Sequence, residues 1–192
     1  MNGHEVVIVR HGETEWSRAQ RHTGRTDLPL TKHGREEAAE LAAVLRSRTF
    51  AAVFSSPLQR ALDTAKLAGY GQQAVVDPDL QEWDYGEYEG MSSEEIRTTR
   101  PGWVLWRDGC PGGETLEHLA RRADRVIERL RGVDGDALLF AHGHVLRVIT
   151  VRWLEMAPAQ AQHFVLAPAS PSTLGYEHEW PALRTWNLPL PS

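Results

Sequence analysis

Arg10 and His11 stand directly after the apolar run Val6-Val7-Ile8-Val9 and open the string Arg10-His11-Gly12-Glu13-Thr14. A buried parallel strand that ends in a histidine presents the imidazole at the carboxyl edge of its sheet, where open α/β folds bind ligands. The arginine beside it supplies a partner for an anion. Two more segments repeat the pattern. Ala52-Val53-Phe54 runs into Ser55-Ser56-Pro57-Leu58-Gln59-Arg60, in which Ser56 suits an N-cap and Pro57 the first helical position. Arg60 then falls in a first helical turn, where the backbone dipole also favours anions. Ala137-Leu138-Leu139-Phe140-Ala141 leads into His142-Gly143-His144 and a helical run from Val145 to Leu154. Between these two segments, Leu80-Gln81-Glu82-Trp83-Asp84-Tyr85-Gly86 carries a carboxylate framed by aromatic rings. A histidine, two arginines, a second histidine and a glutamate together suit phosphoryl transfer, which needs anionic oxygens neutralised, a nucleophile in line and a proton for the leaving oxygen.

The elements that must position these groups alternate along the chain. After the first strand and a polar loop over residues 12–30, Thr31 can cap a helix whose Ala38, Leu41, Ala42 and Leu45 recur at helical spacing. A second amphipathic helix follows Thr115, with Leu116, Leu119, Ala120, Ala123, Ile127 and Leu130 on one face. Its Arg121, Arg122, Arg125 and Glu128 fall largely on the others and read as a solvated face. Gly71, Gly86, Gly90, Gly112 and Gly113 punctuate loops, and Pro168, Pro171, Pro181, Pro189 and Pro191 make the C-terminal part turn-rich. Val165-Leu166 and Thr173-Leu174-Gly175-Tyr176 read as late strands, followed by a tail that frays. Strands alternating with helices imply a layered α/β sheet. No repeat or low-complexity linker interrupts the 192 residues, and residues 1–192 are expected to form a single domain.

Composition narrows the partners. A formal charge of −5 argues against general affinity for nucleic acid or acidic lipid, so an anion site must be a local concentration of arginine and histidine. Cys110 is the only cysteine, which excludes an intramolecular disulfide and a cysteine-based metal cluster, and a reducing cytoplasm is expected. Met1-Asn2-Gly3-His4-Glu5 has neither a basic nor an apolar leader-like stretch, and no segment approaches the length of a membrane span.

With these motifs in order, the chain resembles the histidine phosphatase superfamily, the phosphoglycerate mutase-like enzymes. The resemblance runs through Arg10–Thr14, residues 23–31 (TGRTDLPLT), 55–61 (SSPLQRA), 82–90 (EWDYGEYEG), 112–115 (GGET) and 141–144 (AHGH). It implies a three-layer α/β/α sandwich with a mainly parallel central sheet. His11 would be the nucleophile, a neutral imidazole whose attack on phosphorus gives a phosphohistidine. Arg10, Arg60 and His142 would hold the phosphoryl oxygens, and the nearby cations should keep His11 neutral.

Glu82 would be the general acid and then the base for water, a role that calls for a pKa raised by burial or by the bound dianion. Trp83 and Tyr85 provide apolar surroundings or are ordinary core rings. Glu13, Asp84, Glu87 and Glu89 lack the strand-end context and receive no chemistry. By the resemblance, Thr23 and Gly24 match a substrate-contacting loop and Ser17 takes a phosphate-facing position, although each could simply order the loop. His22, Gly143 and His144 are further candidate contacts. Arg147 either reaches a second phosphate or acidic group or is a surface charge.

Departures from the mutase pattern bear on the reaction. Mutases carry an asparagine six residues after the nucleophile and a lysine eleven after the acid, where this chain has Ser17 and Ser93. Their paired arginines precede the segment matching Gly113-Glu114-Thr115, whereas Arg121-Arg122 follows it here. Without that clamp a phosphorylated product is not retained, and hydrolysis is favoured over isomerisation. The runs Glu82–Gly90 and Trp106–Cys110 look most like broad-specificity acid phosphatases and sedoheptulose-1,7-bisphosphatase-type enzymes. The expectation is a phosphomonoesterase acting on small phosphate esters, sugar phosphates among them, as a monomer or homodimer without cofactor or metal. Three alternatives stand beside it: a cofactor-dependent phosphoglycerate mutase, a metal-dependent hydrolase and a non-catalytic phosphate sensor. Nine histidines and an H-x-H pair suit the second, but no H-x-x-x-H spacing occurs and arginines flank the candidate ligands. The sensor should lack the nucleophile or the acid, and both are present.

Overall fold

Val6–Val9 is apolar at every position because the strand it forms is buried on both faces. The computed structural model describes residues 4–190; residues 1–3, part of the stretch read as lacking a leader, and residues 191–192 of the tail lie outside the described residues. In chain order the elements are β1 (Val6–Arg10), α1 (Glu15–Arg18), α2 (Lys32–Leu45), β2 (Ala52–Ser55), α3 (Gln59–Leu67), β3 (Ala74–Val76) and α4 (Ser93–Thr99). They continue with α5 (Leu105–Asp108), α6 (Leu116–Arg131), β4 (Ala137–Ala141), α7 (Gly143–Trp153), β5 (Pro171–Glu177) and β6 (Trp180–Thr185).

The six strands form one sheet in the order β3-β2-β4-β1-β5-β6. β3, β2, β4 and β1 are parallel, and the β5–β6 hairpin adds an antiparallel edge. Side chains alternate between faces. Val6, Ile8 and Leu139 meet Leu119, Ile127, Leu146 and Ile149 of α6 and α7, whereas Val7, Val9, Leu138 and Phe140 meet Leu41 and Leu45 of α2 and Ala65 of α3. Helices thus cover both faces, giving the three-layer arrangement. Full burial of a leucine such as Leu119 or Leu41 contributes about 1.5–3 kcal/mol.

Register sets the site. Arg10 pairs with Ala141 and Ser55 with Phe140, so β1, β4 and β2 end level. The chain continues across that edge through His11 N–H to Ala141 O and Ser56 N–H to Phe140 O, both 2.9 Å. Gly12 then passes against the first turn of α2, where a Cβ at residue 12 would stand 2.3 Å from Gly34 O. Only glycine permits that approach next to His11.

Four local expectations are corrected. Ser56 and Pro57 do not open α3. The helix begins at Gln59, and its first N–H is received by Asp27 Oδ1 at 2.8 Å, while the Ser56 hydroxyl pairs with His142 Nε2 at 2.7 Å. Arg60 nevertheless stays in the first turn. Val165-Leu166 is not a strand, because its carbonyls are taken by side chains: Trp186 Nε1 and Asn187 Nδ2 donate to Val165 O, and Arg10 Nη1 to Leu166 O. Helix α7 starts at Gly143, two residues before the apolar run that marks it in sequence. Arg122 is not on a solvated face; it is buried in a bidentate pair with Glu114, at 2.8 Å for each bond.

Candidate active site

The side chains at the level ends of β1 and β4 converge. His11 is buried, and its Nδ1 lies 2.8 Å from Gly12 O, a carbonyl that can only accept. The ring proton therefore sits on Nδ1, and Nε2 keeps a free lone pair. Burial first, then the charges of Arg60 and Arg10, push the imidazole well below the usual histidine range, against the pull of the Gly12 carbonyl. A neutral imidazole with one committed nitrogen and one free nitrogen is a nucleophile at neutral pH.

Two guanidiniums flank it. Arg10 donates through Nη1 to Leu166 O at 2.7 Å, and its buried Nε–H has no partner. Arg60 is wholly buried and donates to His142 Nδ1 (3.1 Å), Thr26 O (2.8 Å), Thr23 O (3.1 Å) and Gly24 O (2.9 Å). Neither arginine is paired with a carboxylate of the described residues, whereas Arg122, Arg129 and Arg48 all are. Buried cations without counter-ions are costly, and a bound anion removes that cost. Because His142 Nδ1 accepts from Arg60, its proton lies on Nε2, which donates to the Ser56 hydroxyl. Burial, Arg60 and His11 hold His142 well below its usual range.

Glu82 faces the same space from the third segment. Its Oε1 accepts from Trp83 N–H and Val145 N–H and its Oε2 from His144 N–H, each at 2.9 Å, so the carboxylate caps the start of α7. Burial pushes this carboxyl up, but hydrogen bonding to His144 outweighs it and holds Glu82 well below the usual carboxylate range. Burial alone therefore does not raise Glu82: three backbone N–H groups solvate its charge and favour the carboxylate, which leaves the raised value its acid role calls for to a bound phosphate dianion. Tyr85, whose hydroxyl burial and the Glu82 charge push well above its usual range, is hydrogen-bonded to His144 Nδ1 at 2.6 Å. Trp83 is core, its Nε1 donating to Glu114 O at 2.7 Å.

A cavity of 360 Å³ opens in front of these groups, lined by Arg10, His11, Glu82, Gly143 and His144. Ser17, His22, Thr23 and Arg147 also reach it. Arg60, His142 and Gly24 do not line it; they stand behind the wall. Ser17 additionally closes a capping box with Thr14 that starts α1. His22 lies tilted against Tyr85, with ring centroids 4.7 Å apart, and is pushed down to about 4, by burial first and then by His144. Arg147 is no surface charge. It is half-buried, donates to Ala161 O and Gln162 O and lies 4.8 Å over the Trp106 ring. Ser93, read in sequence only as a missing lysine, lines the cavity and pairs with His22 Nε2 at 3.3 Å.

Gln20, Arg21 and Leu166 also line the cavity and were not anticipated. The first two adjoin His22 and could have been found as neighbours; Leu166 acts through its backbone, which leaves no mark in residue types. No group of three or more His, Cys, Asp or Glu side chains among the described residues could hold a metal ion.

The family model described as "Histidine phosphatase superfamily (branch 1)" matches residues 6–189. The chain belongs to that superfamily. It is 40% identical over 183 residues to an acid phosphatase of Mycobacterium tuberculosis, covering 93% of this chain and 89% of that one. It is 38% identical over 179 residues to the sedoheptulose 1,7-bisphosphatase of Saccharomyces cerevisiae, covering 77% of this chain and 66% of the yeast protein. A solved structure of an open reading frame product from M. tuberculosis superposes with a TM-score of 0.91 at 38% identity, covering 96% of this chain and 97% of the other. The three-layer fold and the mainly parallel sheet are those of the superfamily, and the protein is an enzyme that hydrolyses phosphate monoesters.

Proposed function

We propose that this histidine phosphatase hydrolyses small phosphate esters, sugar phosphates and sugar bisphosphates first among them, through a phosphohistidine on His11. The observation that carries the reading is the 2.8 Å contact of His11 Nδ1 with Gly12 O, which commits one ring nitrogen and leaves Nε2 free beside two unpaired arginines. The Nε2 lone pair forms the bond to phosphorus as the ester P–O bond breaks, and the Gly12 carbonyl stabilises the positive charge the ring acquires. Arg10 neutralises the phosphoryl oxygens from the cavity wall, with Arg60 and His142 behind it. Glu82 gives a proton to the leaving oxygen. It then takes one from water, whose oxygen attacks phosphorus while the N–P electrons return to Nε2.

Because Glu82 rests ionised, its proton arrives with the ester. A phosphate monoester loses its second proton near pH ~6, and the monoanion can hand that proton to the carboxylate on binding. The name of the yeast relative supports the sugar-phosphate class, and that of the M. tuberculosis acid phosphatase supports phosphate-ester hydrolysis. Ser17 and Ser93 at the cavity, in place of a carboxylate clamp, support water over product as phosphoryl acceptor. No described helix is long and apolar enough to cross a membrane. A cytoplasmic enzyme, monomeric or homodimeric, fits the single cysteine, whose thiol burial pushes up to about 12.

Quenching in alkaline denaturant during turnover of a phosphorus-labelled sugar phosphate should trap a base-stable phosphoenzyme that acid then discharges in the wild type, and none in His11→Ala. Activity that disappears on exhaustive chelation and returns with one added metal would favour the metallohydrolase instead.

A further inference from the structure

Arg60 has no carboxylate against it, yet it is held on every side, and what holds it is main chain. Of its five N–H groups, the Nε–H goes to His142, two on Nη2 go to Thr23 O and Gly24 O, and one on Nη1 goes to Thr26 O. One N–H on Nη1 remains. The direction of that last donor is set by where three carbonyls stand, and they stand on a loop over residues 23–26 that belongs to no helix or strand.

A loop that turns its carbonyls toward a cation turns N–H groups away from it. Two of those meet one carboxylate: Glu89 Oε1 accepts from Gly24 N–H at 2.9 Å and from Thr26 N–H at 3.0 Å, and Oε2 from Gly24 N–H at 3.0 Å. The peptide unit joining Thr23 to Gly24 is bridged at both ends, its N–H on a carboxylate and its C=O on the guanidinium. Each charge polarises the unit toward the other, so the two hydrogen bonds strengthen together. The fit is tight. A Cβ on Gly24 would lie 2.5 Å from Trp83 O and 2.7 Å from Glu89 Oε2.

We infer that Glu89 is a positioning residue for phosphoryl transfer: its carboxylate fixes the Thr23–Thr26 peptides whose carbonyls aim the Arg60 guanidinium. This rests on the reading of Arg60 as a partner of the transferred phosphoryl group. Glu89 does not line the cavity and touches no reacting atom. Its effect must pass through Arg60, and that separates it from a residue that merely keeps the loop folded.

The test is a double-variant comparison in p-nitrophenyl phosphate hydrolysis, with inorganic phosphate as competing ligand. Glu89→Gln keeps the side-chain length but replaces one acceptor oxygen with a donor. It should lower kcat/KM and weaken phosphate inhibition by about tenfold, the scale of losing a charged hydrogen bond. In an Arg60→Lys background, which has no fork for the carbonyls to aim, the same change should cost less than about twofold. Glu89→Asp, retaining the charge on a shorter stem, should show a smaller loss with the same dependence on Arg60, and decides the matter if the glutamine variant is insoluble. The Arg60 Nε–H signal should also exchange with solvent faster in either variant than in the wild type. Equal losses in both backgrounds, or unchanged Nε–H exchange, overturn the inference. Phosphoenzyme trapping on the wild type tests the phosphohistidine reading separately, so a normal phosphoenzyme with equal losses overturns only the role of Glu89.

Discussion

A guanidinium that spends four N–H groups on backbone carbonyls and a histidine is pre-aimed, with one donor left at a fixed orientation behind the cavity wall. His142 shares that arrangement, since its Nδ1 is fixed by Arg60 and its Nε2–H must leave Ser56 to serve an oxygen. Replacing either Arg60 or His142 by alanine should therefore lower kcat/KM by roughly one hundredfold or more, measured on a generic phosphomonoester with circular dichroism as the control for folding. Near-normal kinetics would reduce that residue to scaffold. Glu82 asks for a different measurement. Its carboxylate is solvated by three N–H groups at the start of α7, and the amide of Glu82→Gln can neither protonate an alkoxide nor activate water. With alkyl phosphates the phosphorylation step should collapse. Aryl phosphates, whose leaving groups need little protonation, should still phosphorylate His11, and the phosphoenzyme should then accumulate because water lacks its base. Absence of accumulation in rapid-quench experiments would remove Glu82 from the second step.

Helix α6 anchors the segment that carries Glu82. Arg122 donates to Glu114 and to the carbonyls of Asp79 and Gln81, so one buried side chain ties the helix to the segment that leads into Glu82. Breaking a buried pair by removing one partner typically costs about 3–5 kcal/mol, because the other charge stays buried. Arg122→Ala should show a loss of that order in urea denaturation, whereas Arg122→Met combined with Glu114→Gln should recover much of it; equal losses would mean the pair is solvated. The same helix shows what the sequence makes legible. Its apolar stripe is periodic, and so is that of α2, because burial on one face imposes a period, whereas α7 is buried nearly all round and reads as an apolar run. Strands buried on both faces announce themselves as apolar runs, which is why β1 and β4 and the histidines at their ends were readable. Arg122 was not, since a helical arginine looks the same whether it faces water or a glutamate eight residues earlier. β3 and β6 were missed because they are edge strands, with Val75, Val76 and Trp180 exposed and no alternation to read. The carbonyls that hold Arg10 and Arg60 are backbone groups, and residue identity does not encode them.

Over the whole molecule, a chain of net charge −5 concentrates unpaired positive charge at one buried sheet edge, and the histidines there stay neutral through burial first and that charge second. That has an effect on stability whose sign is fixed. His11, His22, His142 and His144 all have folded-state pKa values below the ordinary histidine value, burial being the first cause for each. As pH falls below about 6.5, the unfolded chain takes up protons that the folded chain refuses, so each such histidine costs about 1.4 kcal/mol per pH unit until its folded value is reached. For His22 that loss runs down to about 4. Glu82, held below the usual carboxylate range, adds a loss that begins where an ordinary carboxyl starts to protonate, near pH ~4.5, and deepens as pH falls further.

Activity should move the other way, because the proton that Glu82 delivers enters with the monoanionic ester and that species grows as pH drops through about 6. Thermal melts between about pH 7.5 and pH 4.5 should show Tm falling at every step below about pH 6.5 and level above it. His22→Asn, which removes a ring that resists protonation, should flatten that slope and leave Tm at the upper pH nearly unchanged. Over the same range, and at temperatures below each Tm, kcat/KM for an alkyl phosphate should rise toward acid. A Tm independent of pH would mean that these rings accept protons while folded, and His11 could not then be the neutral nucleophile that the acid-side gain in kcat/KM requires.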